Sequence, residues 1–496
     1  MADTNNTTQS NFVIDVPVEK RLYGRKTIYA DYSADELTKE VIEKILNDKF
    51  YIHEKNAQEI DYLYNYYKGK QPILDKTKVV REEINNIVVE NNALFAVEFK
   101  KGYVFGEPIQ YVQRGDIANN QVAILNSYMN AEKKHGKDSD LAEWLYIAGI
   151  GTRMILAEDD NEDSPFSIYN LDPRTTFKVY SNNVGNKELF GCTYFIQDDG
   201  RKKGSIYTKN KVYEFVGDIG KFEVKEIENE YKGAHILGRV PIFEYQLNKS
   251  RLGILEIILS MANALNRISS DDLDGLDQFI QSLVVFVNND VDAETFKELM
   301  SLGAVKVKSE NASLPADVKL LVNQLDHSNT KTVYERIYNN MLTIIGVPTS
   351  KKTTSGGDTG QAVQLSEGWE MANDRAKQDE EAFKTTASDE LKLILDICKK
   401  APASGITNLK TKDVDIKFTR HKLDNLLVKT QSLLNMVKAG MAFDSALIIS
   451  GLCSDPNEVY LKSMDFYGGQ DKWIEYFTDG KTSVEENINE NNGKDN

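Results

Sequence analysis

Apolar residues recur at steps of three and four through long stretches of the chain and at steps of two through the region between them, which separates helical from strand segments. The spacing predicts one helix over Asp35 to Leu46 and a second over Asn56 to Tyr67, where Tyr62, Tyr66 and Tyr67 form an aromatic packing face. Gly69 and Pro72 break the pattern, and Ile84, Ile87, Val88, Asn91, Leu94 and Phe95 restore it as a further amphipathic helix. From Gly102 the period falls to two, so Tyr103, Phe105, Ile109 and Tyr111, around Gly106-Glu107-Pro108, predict short strands. A helix near Ser139 to Ala148 leads through Gly149 and Gly151 to a strand at Arg153 to Ala157. More strands are expected at Phe166 to Leu171, Thr176 to Tyr180, Leu189 to Gln197, Gly204 to Tyr207, Val212 to Val216, Phe222 to Ile227 and Pro241 to Tyr245. Turn signals such as Asp198-Asp199-Gly200 make them an antiparallel meander.

The second half reads differently. Ile254, Ile257, Ile258, Met261, Leu265 and Ile268 mark a helix running to about Ser282, about 40 Å long if unbroken. A small α+β insertion follows: strand Leu283 to Val287, helix Ala293 to Leu302, and strands Ala304 to Lys308 and Val318 to Leu325. Helix returns over Thr330 to Ile345 and stops at Gly346 and Pro348. A Gly- and Thr-rich loop precedes the longest helix, Gln361 to Lys400, whose seam includes Trp369. Beyond the linker Ala401 to Thr411 come a strand, Val414 to Thr419, and helices at Leu423 to Ala439 and Phe443 to Leu452. The first 33 residues read as a flexible arm and the last sixteen as an acidic, Asn-rich tail.

Composition narrows the function. With 496 residues, 41% hydrophobic and 27% charged, the chain has the material for several cores. Its longest apolar runs are too short to span a bilayer, so no membrane role is expected. Cys192, Cys398 and Cys453 lie far apart, and the five histidines make no HExxH or HxH pattern; no metal, cofactor or catalytic residue is expected. A net charge of −16 argues against a protein that grips a nucleic-acid backbone, but suits one that surrounds a duplex without holding it.

Several motifs carry a resemblance. Tyr66-Tyr67-Lys68-Gly69-Lys70, Asn85-Asn86-Ile87-Val88 and Lys101-Gly102-Tyr103-Val104-Phe105-Gly106-Glu107-Pro108-Ile109 come in that order. Leu171-Asp172-Pro173, Val240-Pro241-Ile242, the helix through Asn263 to Ser270 and the helix start at Gly360-Gln361-Ala362-Val363-Gln364-Leu365 follow. Together, over about residues 50 to 465, they resemble the portal proteins of tailed bacteriophages. The resemblance implies an α+β portal fold: an N-terminal arm (1–33), a mixed α/β wing (34–253), a two-helix stem (254–282 and 326–348) and a small α+β clip (283–325). A tunnel loop (349–360), a long helix with a wing strand (361–422), a helical crown (423–470) and a tail (471–496) complete it. It further implies a homo-oligomeric ring, usually a dodecamer, at the portal vertex of the capsid, with double-stranded DNA in its channel. The implied partners are the terminase large subunit, scaffolding and major capsid proteins and a head-completion adaptor, with synthesis in the host cytoplasm and no enzymatic activity.

Three groups of residues stand as candidate sites. Lys351, Lys352, Thr353 and Thr354 are placed by the resemblance on the tunnel loop, where lysines would meet DNA phosphates; a solvated surface pair explains the same residues. Gly356, Gly357 and Gly360 suit a loop hinge. A phosphate-binding enzyme built on 356–361 is the rival reading, but the run lacks the Gly-Lys-Ser/Thr ending of a P-loop and follows no strand. Asp271, Asp272, Asp274 and Asp277 form an acidic cluster on the expected stem, read as a solvated or channel-facing wall rather than a metal site. Glu143, Trp144 and Trp369 fall on amphipathic helices and are read as packing, and Arg201-Lys202-Lys203 as a solvated turn.

Overall fold

The computed structural model describes residues 22–79, 82–114, 120–158, 163–227, 233–235, 237–280, 283–287, 317–321, 327–349, 368–401, 403–420, 426–453 and 456–468. In chain order these form β1 (Ile28–Ala30), α1 (Lys39–Tyr67), α2 (Asn92–Phe105), β2 (Gln110–Gln113), α3 (Gln121–Ala131), α4 (Lys134–Ala148), β3 (Ile150–Ala157), β4 (Phe166–Leu171), β5 (Thr176–Ser181), β6 (Glu188–Ile196), β7 (Lys202–Tyr207), β8 (Val212–Asp218), β9 (Lys221–Glu226) and β10 (Ile242–Gln246). Then come α5 (Ile254–Ile280), β11 (Leu283–Val287), β12 (Asp317–Leu321), α6 (His327–Ile345), α7 (Trp369–Lys400), β13 (Val414–Lys417), α8 (Leu426–Lys438), α9 (Phe443–Ser450) and α10 (Pro456–Tyr467). The fold class is α+β. Two compact units share these elements: Met1–Gly102 with Asp140–Met154 and Tyr169–Thr386, and Tyr103–Ser139 with Ile155–Ile168 and Ala387–Asn496.

In the first unit, strands β5 to β9 make the antiparallel meander that the two-residue period predicts, and β1 adds to β5 in parallel, giving the order β1-β5-β6-β7-β8-β9. Residues 28–30, expected within a flexible arm, are therefore an edge strand of this sheet. Helix α1 packs on the sheet; Ile42, Ile45, Leu46 and Phe50 join Phe177, Val179, Phe190, Phe215, Phe222 and Val224 in one core. β10 pairs antiparallel with Ile150–Met154 of β3, and β11 pairs antiparallel with β12. Gly149 turns α4 into β3 at φ +77°, and a Cβ there would strike the Arg251 carbonyl oxygen at 2.3 Å. In the second unit, β13 pairs antiparallel with β2, α3 lies against β2, and α8, α9 and α10 pack together.

Four further expectations change. The two helices foreseen at the start are one, because its buried face continues through the polar residues His53, Asn56 and Glu59, which interrupt the apolar pattern without interrupting the helix. Residues 84–91 form no helix, and α2 begins at Asn92. Tyr103 and Phe105 end that helix rather than starting strands. Lys202 is no solvated turn residue: it is buried in β7 with its ammonium 5.7 Å from the Phe50 ring. Helices α3 and α10 were not foreseen. The expected helix Ala293 to Leu302 and strand Ala304 to Lys308 lie outside the described residues, as do residues 361–367 of the long helix.

The buried imidazole of His53 stacks on Phe177 at 4.3 Å, meets the Tyr194 hydroxyl at 3.2 Å and faces the Lys202 charge. Burial pushes its pKa down to about 3 from an ordinary 6.5. The unfolded chain then binds a proton that the folded chain refuses, so stability is full above the ordinary value and declines as the pH falls below it. Urea denaturation from pH 7 to pH 4 is expected to show this decline, and His53→Phe is expected to flatten it; an unchanged slope in the variant would place the titrating group elsewhere.

Candidate functional site

Helix α5 buries Leu255, Ile258, Ala262 and Leu265, and beside this apolar stripe runs a polar one: Asn263, Asn266, Ser270, Asp274 and Asp277. Residues 86–90 of the non-helical segment lie along the polar stripe. The Glu90 amide donates to Asn266 Oδ1 at 3.1 Å, the Val88 amide to Ser270 Oγ at 3.0 Å and the Asn86 amide to Asp274 Oδ1 at 2.7 Å. Two residues of extended chain advance about 6.7 Å and four of a helix about 6 Å, so alternate amides stay in phase with acceptors four apart over three rungs. This pairing is the reason the segment is not a helix: its amides find partners on α5 instead of four residues back.

The lower end of the ladder is the acidic cluster. Asp274 is only 2% exposed, and besides the Asn86 amide it accepts the Lys76 ammonium at 2.8 Å, the Lys78 ammonium at 2.5 Å and Asn86 Nδ2 at 3.0 Å. Burial pushes its carboxyl upward, but the hydrogen bonds from Lys76, Lys78 and Asn86 outweigh burial and hold it well below the usual carboxylate range. Asp277 accepts Asn86 Nδ2 at 2.7 Å, while Asp271, with a side chain 54% exposed, meets Lys76 at 2.9 Å. Asp272 is half-buried. A solvated wall is thus the wrong description of Asp274, which is a neutralised anchor; two lysines sit where a cation would have to bind. Among the described residues no group of three or more His, Cys, Asp or Glu side chains is placed to hold a metal ion.

The upper end joins other helices. Glu90 accepts the hydroxyls of Ser269 on α5 and Tyr334 on α6, the latter at 2.5 Å. Asn266 Nδ2 donates to Gln71 Oε1 at 2.5 Å, and the Tyr66 hydroxyl of α1 donates to Asn263 Oδ1 at 2.9 Å. Polar side chains therefore tie α1, the segment, α5 and α6 together. Such an arrangement performs no bond chemistry; it fixes the angle and register of two helices against a sheet-bearing unit.

Lys351, Lys352, Thr353 and Thr354, and the glycines Gly356, Gly357 and Gly360, lie outside the described residues. Lys76, Lys78, Glu90 and Tyr334 were not singled out from sequence, and Asn86 stood out only as part of a motif. The one available signal was the four-residue recurrence of hydrogen-bond acceptors at Asn266, Ser270 and Asp274, which an apolar count passes over.

The family described as "Phage portal protein, SPP1 Gp6-like" matches residues 46–452. No curated protein matches the chain. Among solved structures, a chain from the neck of an empty gene transfer agent particle, computed with C6 symmetry, is 13% identical, with 74% of this chain and 91% of that one covered and a TM-score of 0.41. A chain from the virion of the native gene transfer agent particle is 11% identical, with 73% and 89% covered and a TM-score of 0.36. One from the neck of the native particle, computed with C12 symmetry, is 12% identical, with the same coverage and a TM-score of 0.39.

Replacing Asp274 leaves the Asn86 amide and two ammonium groups without their acceptor. Asp274→Ala is expected to cost about 1–3 kcal/mol by urea denaturation at neutral pH. Because the folded pKa is depressed, the contribution is present above the ordinary carboxylate value and lost as the pH falls through the folded one, so the gap between wild type and variant should narrow below about pH 4. A gap that stays constant into acid would mean that the lysine pairing contributes nothing.

Proposed function

Because the chain belongs to the SPP1 Gp6-like family of phage portal proteins, we propose that it closes into a hollow ring at the portal vertex of a virion and conducts double-stranded DNA into and out of the head. The match over residues 46–452 is the observation that carries this reading. Twelve copies, the number usual in the family, make the ring. Residues 34–253 form the wing, to which β1 also belongs, 254–282 and 326–348 the stem, 283–325 the clip, 349–360 the tunnel loop and 423–470 the crown. Residues 361–422 are the long helix and a wing strand.

Physical arguments support these roles. The polar ladder holds α5 and α6 at a set angle to the sheet, which a stem must have if identical copies are to close around an axis. The net charge of −16 keeps a duplex from adhering to the wall. The terminase large subunit docks at the clip and supplies the energy of packaging, so the chain itself is a structural protein without catalysis. Scaffolding and major capsid proteins meet the ring during head assembly, a head-completion adaptor follows packaging, and assembly begins in the host cytoplasm. No helix among the described residues is long and apolar enough to cross a membrane.

Negative-stain images and native mass spectra of the purified chain are expected to show a closed ring with an axial hole; solid particles or a lone monomer under all conditions would overturn the proposal. Lys351→Ala with Lys352→Ala is expected to leave the ring intact and to lower the amount of DNA packaged in a reconstituted reaction. Packaging that matches wild type at every salt concentration would remove the two lysines from the DNA path.

A further inference from the structure

In the second unit, three successive backbone amides converge on one atom. The N–H groups of Thr407, Asn408 and Leu409 donate to Gln121 Oε1 at 3.1, 3.2 and 3.2 Å. Consecutive amides aimed at one point form a concave patch of partial positive charge, an arrangement that suits an oxyanion. Here the acceptor is a neutral amide oxygen, although an ionised one would make hydrogen bonds about twice as strong. A cleft of about 260 Å³ adjoins the patch, lined in part by Asn408, Leu409, Lys410, Lys412 and Asp413. Both lysines are exposed, and neither has an ion pair among the described residues. The carboxylate of Asp413 accepts the Lys410 amide at 3.1 Å, so it is engaged with its own turn.

We propose that the Thr407–Leu409 amides, with Lys410 and Lys412, are a binding site for a phosphate group, and that Gln121 is a built-in stand-in for it. Gln121 is half-buried at the first turn of α3, and its side chain can swing into the cleft when an anion enters. The three amides then bond phosphate oxygens while the lysine ammonium groups balance the charge. Inorganic phosphate and the backbone phosphates of a nucleic acid share this chemistry. Binding at this site does not require the proposed ring.

Thermal unfolding of the full chain tests the proposal, with sodium phosphate and a short DNA duplex as separate probes at constant ionic strength. Phosphate is expected to raise the wild-type midpoint in a saturable way. Gln121→Glu places a carboxylate among the amides; it is expected to raise the midpoint without phosphate and to abolish the phosphate response. Lys410→Ala with Lys412→Ala is expected to weaken apparent affinity by about tenfold or more, the worth of one charge-assisted hydrogen bond. A response to the duplex as well as to phosphate identifies a nucleic-acid backbone as the source, and a response to phosphate alone identifies the small ion. If neither probe gives a saturable shift, or if wild type and Gln121→Glu respond equally, the amides serve only to tether the loop to α3. Should Gln121→Glu fail to fold, the double lysine variant decides: unchanged affinity overturns the site.

Discussion

Extended backbone carries an amide and a carbonyl at every residue, and each one left unpaired in the interior costs about 1–3 kcal/mol. In this protein helices supply many of the missing partners through their side chains. Asn47 of α1 pairs with both backbone groups of Phe222 on the edge strand β9, at 2.7 and 3.1 Å, and Glu43, one turn earlier, accepts the Val224 amide at 2.9 Å. Asn56 does the same for Lys26, at 2.9 and 2.8 Å. On α5, Asn266, Ser270 and Asp274 repeat the device over three rungs. In the second unit Asn126 pairs with both groups of Tyr111. A helix turn and two extended residues advance by nearly the same distance, which lets one element serve as a substitute strand for the other.

This constraint explains why buried faces here are so polar. Helix α1 buries His53, Asn56 and Glu59 among its isoleucines, and Arg25, fully enclosed, bridges Glu59 of α1 and Glu256 in the first turn of α5. Apolar contact alone tolerates a shift of one residue or a small rotation, whereas a chain of directional bonds does not. The same rows that prevent edge strands from pairing with other molecules set the register of each helix. In the proposed ring of identical copies a small error in helix angle would repeat at every interface, so directional bonds would serve assembly better than added apolar area.

The strands of the meander lie where the sequence places them; β8 and β9 alternate buried and exposed residues because one of their faces packs inward, whereas β5 and much of β6 are buried on both faces. The start of α5 at Ile254 and the end of α6 at Ile345 were also legible, since an apolar stripe and helix-stopping residues such as Gly346 leave a local trace. Reading failed where polar side chains took the buried positions. His53 and Asn56 split one helix into two, and Ile84, Ile87 and Val88 imitated a helical stripe on a segment whose amides are held by a helix nearly two hundred residues away.

The amino-acid sequence by itself determined the α+β class, the order of most elements and the family, because apolar period, turn residues and motif order are properties of neighbours along the chain. Only the tertiary structure decided that Asp274 is a neutralised anchor between two lysines, that residues 86–90 pair with α5 and that three amides converge on Gln121. Each of those depends on an acceptor brought from a distant part of the chain, and a hydrogen bond is governed by distance and direction in space, which residue spacing does not encode.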